Sequence, residues 1–159
     1  MATEADRQRF RVVMGHFATG VAVITAQGPG GPAGLTANAL CSLSLDPLLL
    51  LACFENSART LPIVRETGRF GINVLRSGQD ETSGVFASKV PERDKFAGLA
   101  YTVRDGVPVL DDTLAWLVCD VRELLPGGDH TIATGAVRTM HLRGGDPLVW
   151  FRGAYRTIG

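Results

Sequence analysis

The stretch GLTANALCSLSLDPLLLLACFENSART, Gly34 to Thr60, decides how the rest of this chain is read. It opens as a strand, passes through the small polar residues Thr36, Asn38, Ser42 and Ser44, turns at Asp46-Pro47, and continues into the apolar run Leu48 to Phe54, which reads as a buried strand. A second polar cluster follows: Asn56, Ser57, Arg59 and Thr60. Strand alternation puts Thr36 and Asn38 on one side, and puts Ser42 and Ser44 on one face if that segment is also extended. Small side chains let a flat ligand approach the backbone, whose N–H and C=O groups then read its polar edge. At the far end Ser57 or Thr60 is expected to cap a helix beginning near Leu61, and a helix N-terminus beside Arg59 suits a phosphate. A flat polar head with a phosphate tail describes a nucleotide. The same residues also fit an ordinary buried strand ahead of an ordinary capped helix, and their spacing leaves both readings open.

Outward from this stretch the chain is punctuated as a β protein. Before it, Phe10, Val13, Met14 and Phe17 fall at helical spacing within residues 5–17, an apolar stripe expected to pack on the core. Thr19 and Gly20 are expected to end that helix. Val21 to Ala26 and Ala33 to Asn38 read as strands joined by the turn-forming GPGGP at 28–32. After it come a short helix from Leu61 to Thr67 closed by Gly68, a strand from Phe70 to Leu75, and a brief helix from Gln79 to Ala87 with Val85 and Phe86 buried. Residues 88–96, SKVPERDKF, read as a charged surface loop, either a solvated connector or one whose Lys89, Arg93 and Lys95 grip the ligand or its dinucleotide partner. A hairpin turning at Asp105-Gly106 follows, then two long strands separated by Pro126-Gly127-Gly128, and a last strand from Leu148 to Phe151. Many strands with a few helices in one domain over 1–159 point to a closed or partly closed barrel.

Composition excludes several classes of function. Lysine plus arginine and aspartate plus glutamate number 16 each, so no strong field recruits nucleic acid or an anionic membrane. The 45% of hydrophobic residues supports a proper core and leaves apolar surface for a subunit partner. Cys41, Cys53 and Cys119 lack metal-ligand spacing, and their odd number argues against a disulfide framework. No signal segment or membrane-length apolar run is read, and a cytoplasmic location is expected. There is no Rossmann fingerprint, no P-loop and no nucleophile elbow. His130, beside Asp129 after a glycine-rich break, is suited to proton donation near neutral pH, while Asp129 either orients it or simply forms the turn.

At these residues the sequence resembles a known family. Gly-x-Thr-Ala-Asn, Ser-x-Ser-Leu-Asp-Pro and Ser-x-x-Thr, together with Thr19-Gly20-Val21, Phe86-Ala87, Asp94-Lys95-Phe96, Gly128-Asp129-His130 and Gly153-Ala154-Tyr155, resemble the flavin reductase-like family of FMN-binding split β-barrels. The resemblance runs from about Phe10 to Tyr155. It implies a homodimeric NAD(P)H:flavin oxidoreductase using FMN or FAD and NADH or NADPH, with reduced flavin released to a partner monooxygenase. It places the flavin ring against Thr36, Ala37 and Asn38, and the ribityl chain and phosphate near Ser42, Ser57, Arg59 and Thr60. Cys53, Phe86, Ser88, Lys89, Asp129 and Tyr155 are implied to border the cofactor, and His130 to place the nicotinamide or assist protonation. The family pattern often has a serine and an aromatic after the asparagine, where this chain has Ala39 and Leu40; the missing hydroxyl is expected to weaken flavin binding by about 1 kcal/mol. For the 2′-phosphate of NADPH, Arg93, Lys95 and Arg138 are all available. The alternative function on the same barrel is a non-catalytic flavin carrier.

Overall fold

A computed structural model describes residues 1–158. Helix α1 (Glu4–Met14) leads into strands β1 (Thr19–Gly20), β2 (Ala22–Gly28), β3 (Gly31–Ala37), β4 (Leu40–Leu45) and β5 (Leu48–Glu55). Helix α2 (Thr60–Thr67), strand β6 (Arg69–Val74) and helices α3 (Asp80–Ala87) and α4 (Glu92–Phe96) come next. The chain finishes with β7 (Tyr101–Arg104), β8 (Val107–Leu110), β9 (Ala115–Gly127), β10 (His130–Leu142), β11 (Val149–Phe151) and β12 (Ala154–Arg156). Seven strands pair antiparallel in the order β3-β2-β6-β9-β10-β5-β4, flanked by a three-stranded sheet β1-β11-β12 and the β7-β8 hairpin. This is the expected architecture, a mainly β, partly closed split barrel.

Tight turns set the pairing. β2 and β3 are joined at Pro29-Gly30, and Gly31 adopts a φ of 117°, a region that side chains with a Cβ rarely enter. β2 then separates two cores by strand alternation. Ala22, Ile24 and Ala26 pack with Phe54, Val64 and Phe70, whereas Val21 and Val23 pack with Leu75, Phe86, Phe96 and Leu148. Asn73, fully buried on β6, ties these layers: its Nδ2 donates to Val23 O at 3.0 Å and Thr25 Oγ1 at 3.1 Å, and its Oδ1 accepts the Leu110 N–H at 2.8 Å.

Several local expectations are corrected. Gly15, not Thr19-Gly20, closes α1, donating to Arg11 O at 2.8 Å; Thr19 and Gly20 instead pair with Trp150 and Val149. The apolar stripe of α1 is not core, since no residue of that helix is buried and Phe10 and Phe17 are 67% and 71% exposed. The helical period fixes which residues share a face, but nothing in this single chain covers that face. β5 is buried on one side: Leu50, Ala52 and Phe54 point inward while Leu49, Leu51 and Cys53 are half-buried. A register shift in β4 puts Ser42 opposite Leu50 and Ser44 opposite Leu49, so the two serines face opposite sides.

Neither Ser57 nor Thr60 caps α2; Arg59 occupies that position with no side-chain capping bond. In α3 Phe86 is buried and Val85 only half so. Residues 92–96 are not a loop but the helix α4, and Lys95 and Phe96 are buried in it. β9 runs through Pro126 to Gly127 before turning at Gly128-Asp129, because Pro126 lies opposite Thr131 in the ladder with β10. A final strand, β12, adds Tyr155 to the sheet opposite Trp150.

Candidate functional site

β3 carries Thr36 to a point where two cavities adjoin. The larger, about 350 Å³, is lined by Thr36, the turn into α2 (Ser57, Arg59, Thr60) and the end of α3 with its exit (Phe86, Ser88, Lys89). The smaller, about 250 Å³, is lined by Thr36, Ala37, Asn38, Ser83, Trp150 and Tyr155. Thr36 and Ala87 belong to both walls. Gly34 keeps the floor of the larger cavity low: a Cβ there would lie 2.8 Å from Phe86 Cε1, so the ring and a side chain on residue 34 compete for one volume.

The smaller cavity is held by a buried relay. Ser83 is fully buried; its carbonyl accepts from Thr36 Oγ1 at 2.6 Å and its hydroxyl from Tyr155 Oη at 2.8 Å. Tyr155 packs edge-on against Trp150 with ring centroids 5.0 Å apart. The small Ala37 beside these aromatic walls admits a flat ring.

Charge gathers at the other end, around Glu92. Its carboxylate accepts from the Gly34 N–H at 2.9 Å and pairs with Arg59 and Lys95, each at 3.1 Å. Lys95 Nζ also donates to Gly34 O at 3.0 Å and Phe86 O at 3.4 Å, so all three of its hydrogens are spoken for inside the protein. Arg59 differs: its side chain is 49% exposed and uses one terminal nitrogen, on Glu92 and on Val90 O at 2.6 Å. Among the described residues its Nε and Nη1 have no partner, and Arg59 lines the cavity together with the exposed Lys89. Of the three cations expected to grip a 2′-phosphate, Lys95 is therefore consumed and Arg138 is bound to Asp120 at 3.0 Å. Arg93 is exposed beside Asp94 at 3.5 Å.

His130 opens β10, directly opposite Glu55, a residue of the larger cavity. Its Nδ1 is 2.7 Å from Asp129 Oδ1, and this hydrogen bond, with the imidazole's charge behind it, holds the Asp129 carboxyl below the usual carboxylate range. With Nδ1–H given to the carboxylate, Nε2 accepts when the ring is neutral and donates when it is charged. His130 itself lines a separate cavity of about 440 Å³ with Asn56, Arg65, Pro126 and Thr131. The two regions touch at consecutive residues, Asn56 and Ser57, and the Asn56 N–H donates to Asp129 O at 3.0 Å.

The fold thus brings together Thr36, Ala37, Asn38, Ser57, Arg59, Thr60, Phe86, Ser88, Lys89 and Tyr155, with Asp129 and His130 one strand pair away. It does not bring in Ser42, exposed on β4, or Cys53, half-buried on β5 with its N–H on Ala39 O at 2.9 Å. Sequence reasoning missed Ser83 and Glu92. Ser83 leaves no sign in an ordinary helical segment; Glu92 leaves a faint one, its placement one helical turn before Lys95. Among the described residues no cluster of His, Cys, Asp or Glu is arranged to hold a metal. A flat-walled cavity joined to one lined by hydroxyls and a half-free guanidinium fits a nucleotide whose ring enters the first and whose phosphate enters the second.

Fold and cleft define the class, a split β-barrel with a cleft of nucleotide dimensions. The chain belongs to the flavin reductase like domain family, whose model matches residues 14–159. It is 41% identical to a probable flavin reductase of Rhizobium meliloti, of whose length it spans about half (49%) while 96% of this chain is matched. It is 38% identical to the reductase subunit of a flavin-dependent monooxygenase from Rhodococcus jostii (strain RHA1), over 99% of this chain and 82% of that one. Among solved structures, the NADH:FAD oxidoreductase of Streptomyces globisporus C-1027, in complex with NAD and FAD fragments, superposes with a TM-score of 0.91. That match has 31% identity and covers 100% of this chain and 96% of the other.

Proposed function

We propose that this chain is an NAD(P)H-dependent flavin reductase that transfers hydride from nicotinamide to FMN or FAD and delivers reduced flavin to a partner monooxygenase. The observation that carries this reading is the pair of cavities sharing Thr36, one flat-walled and one polar, in a chain whose relatives are named flavin reductases. Thr36, Ala37 and Asn38 would hold the ring, and Ser57, Arg59, Thr60 and Lys89 the phosphate. The redox chemistry, acceptance of a hydride from reduced nicotinamide, is what the bound flavin supplies. The protein's part is to fix the distance between the two rings and to exclude water. His130, oriented by Asp129, is assigned to the nicotinamide side, where its Nε2 can hold or pass a proton.

The working unit is proposed to be a homodimer. In one chain Phe10, Val13, Phe17, Leu45, Met140 and Leu142 are exposed, and such side chains are ordinarily covered by a subunit partner. Three free cysteines accord with a reducing, cytoplasmic setting, and no helix among the described residues is long and apolar enough to cross a membrane.

Oxidation of NADH and NADPH by the purified chain, with and without added FMN, FAD and riboflavin, tests the reading. Turnover that requires added flavin supports it and ranks both ligands. Flavin binding without turnover under any combination would overturn it in favour of a flavin carrier.

A further inference from the structure

Glu92 has a place in the cleft that the assigned reaction does not use. Its carboxylate is 19% exposed and belongs to the wall of the larger cavity, where an anion would least tolerate a negative charge. It holds the Gly34 N–H, the buried Lys95 ammonium and the half-exposed Arg59 guanidinium. Two of these contacts are structural: Gly34 is main chain of β3, and Lys95 is closed in by Gly34 O and Phe86 O. The third is not. Arg59 is the partner that remains accessible, and one of its terminal nitrogens is tied to Glu92 and to Val90 O. A phosphate entering beside Ser57 and Thr60 must share the charge of this guanidinium with Glu92, which already holds Nη2, and bear the repulsion of the carboxylate as well.

We infer that Glu92 is an affinity-setting residue that weakens binding of phosphorylated flavins by partly neutralising Arg59 and repelling the phosphate, and so keeps the flavin exchangeable. This rests on the flavin reading given above and adds the means by which reduced flavin leaves. Exchange is then set by two anions sharing the charge of one arginine, rather than by a loose ring site. The effect is confined to ligands that carry a phosphate. Riboflavin, with the same ring and no phosphate, does not meet this repulsion.

The test is a titration of this chain with FMN and with riboflavin, in wild type, Glu92→Gln and Arg59→Ala. Glutamine keeps an acceptor for the Gly34 N–H while removing the charge. In Glu92→Gln the Kd for FMN is expected to fall about tenfold, as expected for removing one like charge at partly screened range, with riboflavin changed less than about twofold. Arg59→Ala is expected to weaken FMN selectively. An FMN affinity that is unchanged or weaker in Glu92→Gln, or an equal gain for riboflavin, would overturn the inference. A second readout needs no variant at Glu92: the Arg59 side-chain N–H resonance of the wild type should move on addition of FMN and stay in place with riboflavin, and a resonance indifferent to FMN counts against it. If the wild type binds neither flavin, the failure lies with the flavin reading itself and takes the inference with it.

Discussion

Tyr155 and Ser83, 72 residues apart in sequence, are joined by a 2.8 Å hydrogen bond in which the phenol donates to a fully buried hydroxyl. The contact fastens the final strand to α3, and because the Ser83 carbonyl also receives Thr36, it fixes the wall that the two cavities share. Tyr155→Phe removes the donor and leaves Ser83 Oγ without it. The loss expected is about 1–2 kcal/mol of folding stability, read from denaturant midpoints at constant slope. A flavin affinity that falls alongside would place Tyr155 at the ring as well as in the frame.

His130 and Asp129 allow a different separation. If His130 serves the nicotinamide rather than the flavin, His130→Gln should lower kcat/KM for the reduced nicotinamide by about 10²-fold and leave the flavin Kd within about twofold. Asp129→Asn, which keeps a partner for Nδ1 but not its charge, should show a smaller loss in the same direction. Steady-state kinetics with flavin saturating, paired with flavin titrations, decide it; an equal loss in both constants contradicts the assignment.

Asn73 is buried, and its side-chain amide is satisfied by Val23, Thr25 and Leu110. Asn73→Leu strips partners from a buried carbonyl, a hydroxyl and a backbone N–H at once, and a cost of about 3 kcal/mol is expected from unsatisfied polar groups. Equilibrium unfolding checks the magnitude. Faster hydrogen exchange at Leu110 in the variant would localise the damage to the hairpin of β7 and β8.

The cysteines predict a labelling pattern. Burial, with the nearby charge of Asp120 behind it, pushes the Cys119 thiol up to about 12, and burial also raises Cys53, with Cys41 adding to it. Since the thiolate is the reactive form, Cys119 should resist alkylation at neutral pH in the folded protein and react only once the chain unfolds. Mass spectrometry after native and denaturing alkylation counts the difference. Modification of Cys119 under native conditions would show that the core around Phe70 and Gly135 opens more readily than its packing implies.

Much of the barrel was legible because its turns are written in residues with few alternatives. The glycines after Gln27 and the Asp105-Gly106 pair place two hairpins, and the apolar runs of β2 and β5 mark strands without saying which face is inward. The grouping of Thr36, Ala37 and Asn38 with Ser57, Arg59 and Thr60 was legible too, as parts of one stretch folded back by the turn at Asp46-Pro47. What a period cannot state is what covers a face, which is why the stripe on α1 read as core. Nor can a local window show that a lysine will find three acceptors. Lys95 read as a solvated loop cation because Gly34 O lies 61 residues away in sequence, and only the packing of α4 on β3 makes its burial tolerable. The shift between Ser42 and Ser44 is lost for a related reason, since register is decided by the partner strand.

The relay through Ser83 also gives the cleft a direction. Thr36 and Tyr155 each have a single hydroxyl hydrogen, and both hydrogens are already given to Ser83, while Asn38 spends an amide hydrogen on Thr19 Oγ1 at 3.2 Å. Toward a ligand, Thr36 and Tyr155 present lone pairs only. At the opposite end the free edge of Arg59 and the Lys89 ammonium present hydrogens only. A molecule seated across both cavities is therefore matched when it offers donors to Thr36 and Tyr155 and acceptors to Arg59 and Lys89, and one bound in reverse would set lone pair against lone pair at the two hydroxyls.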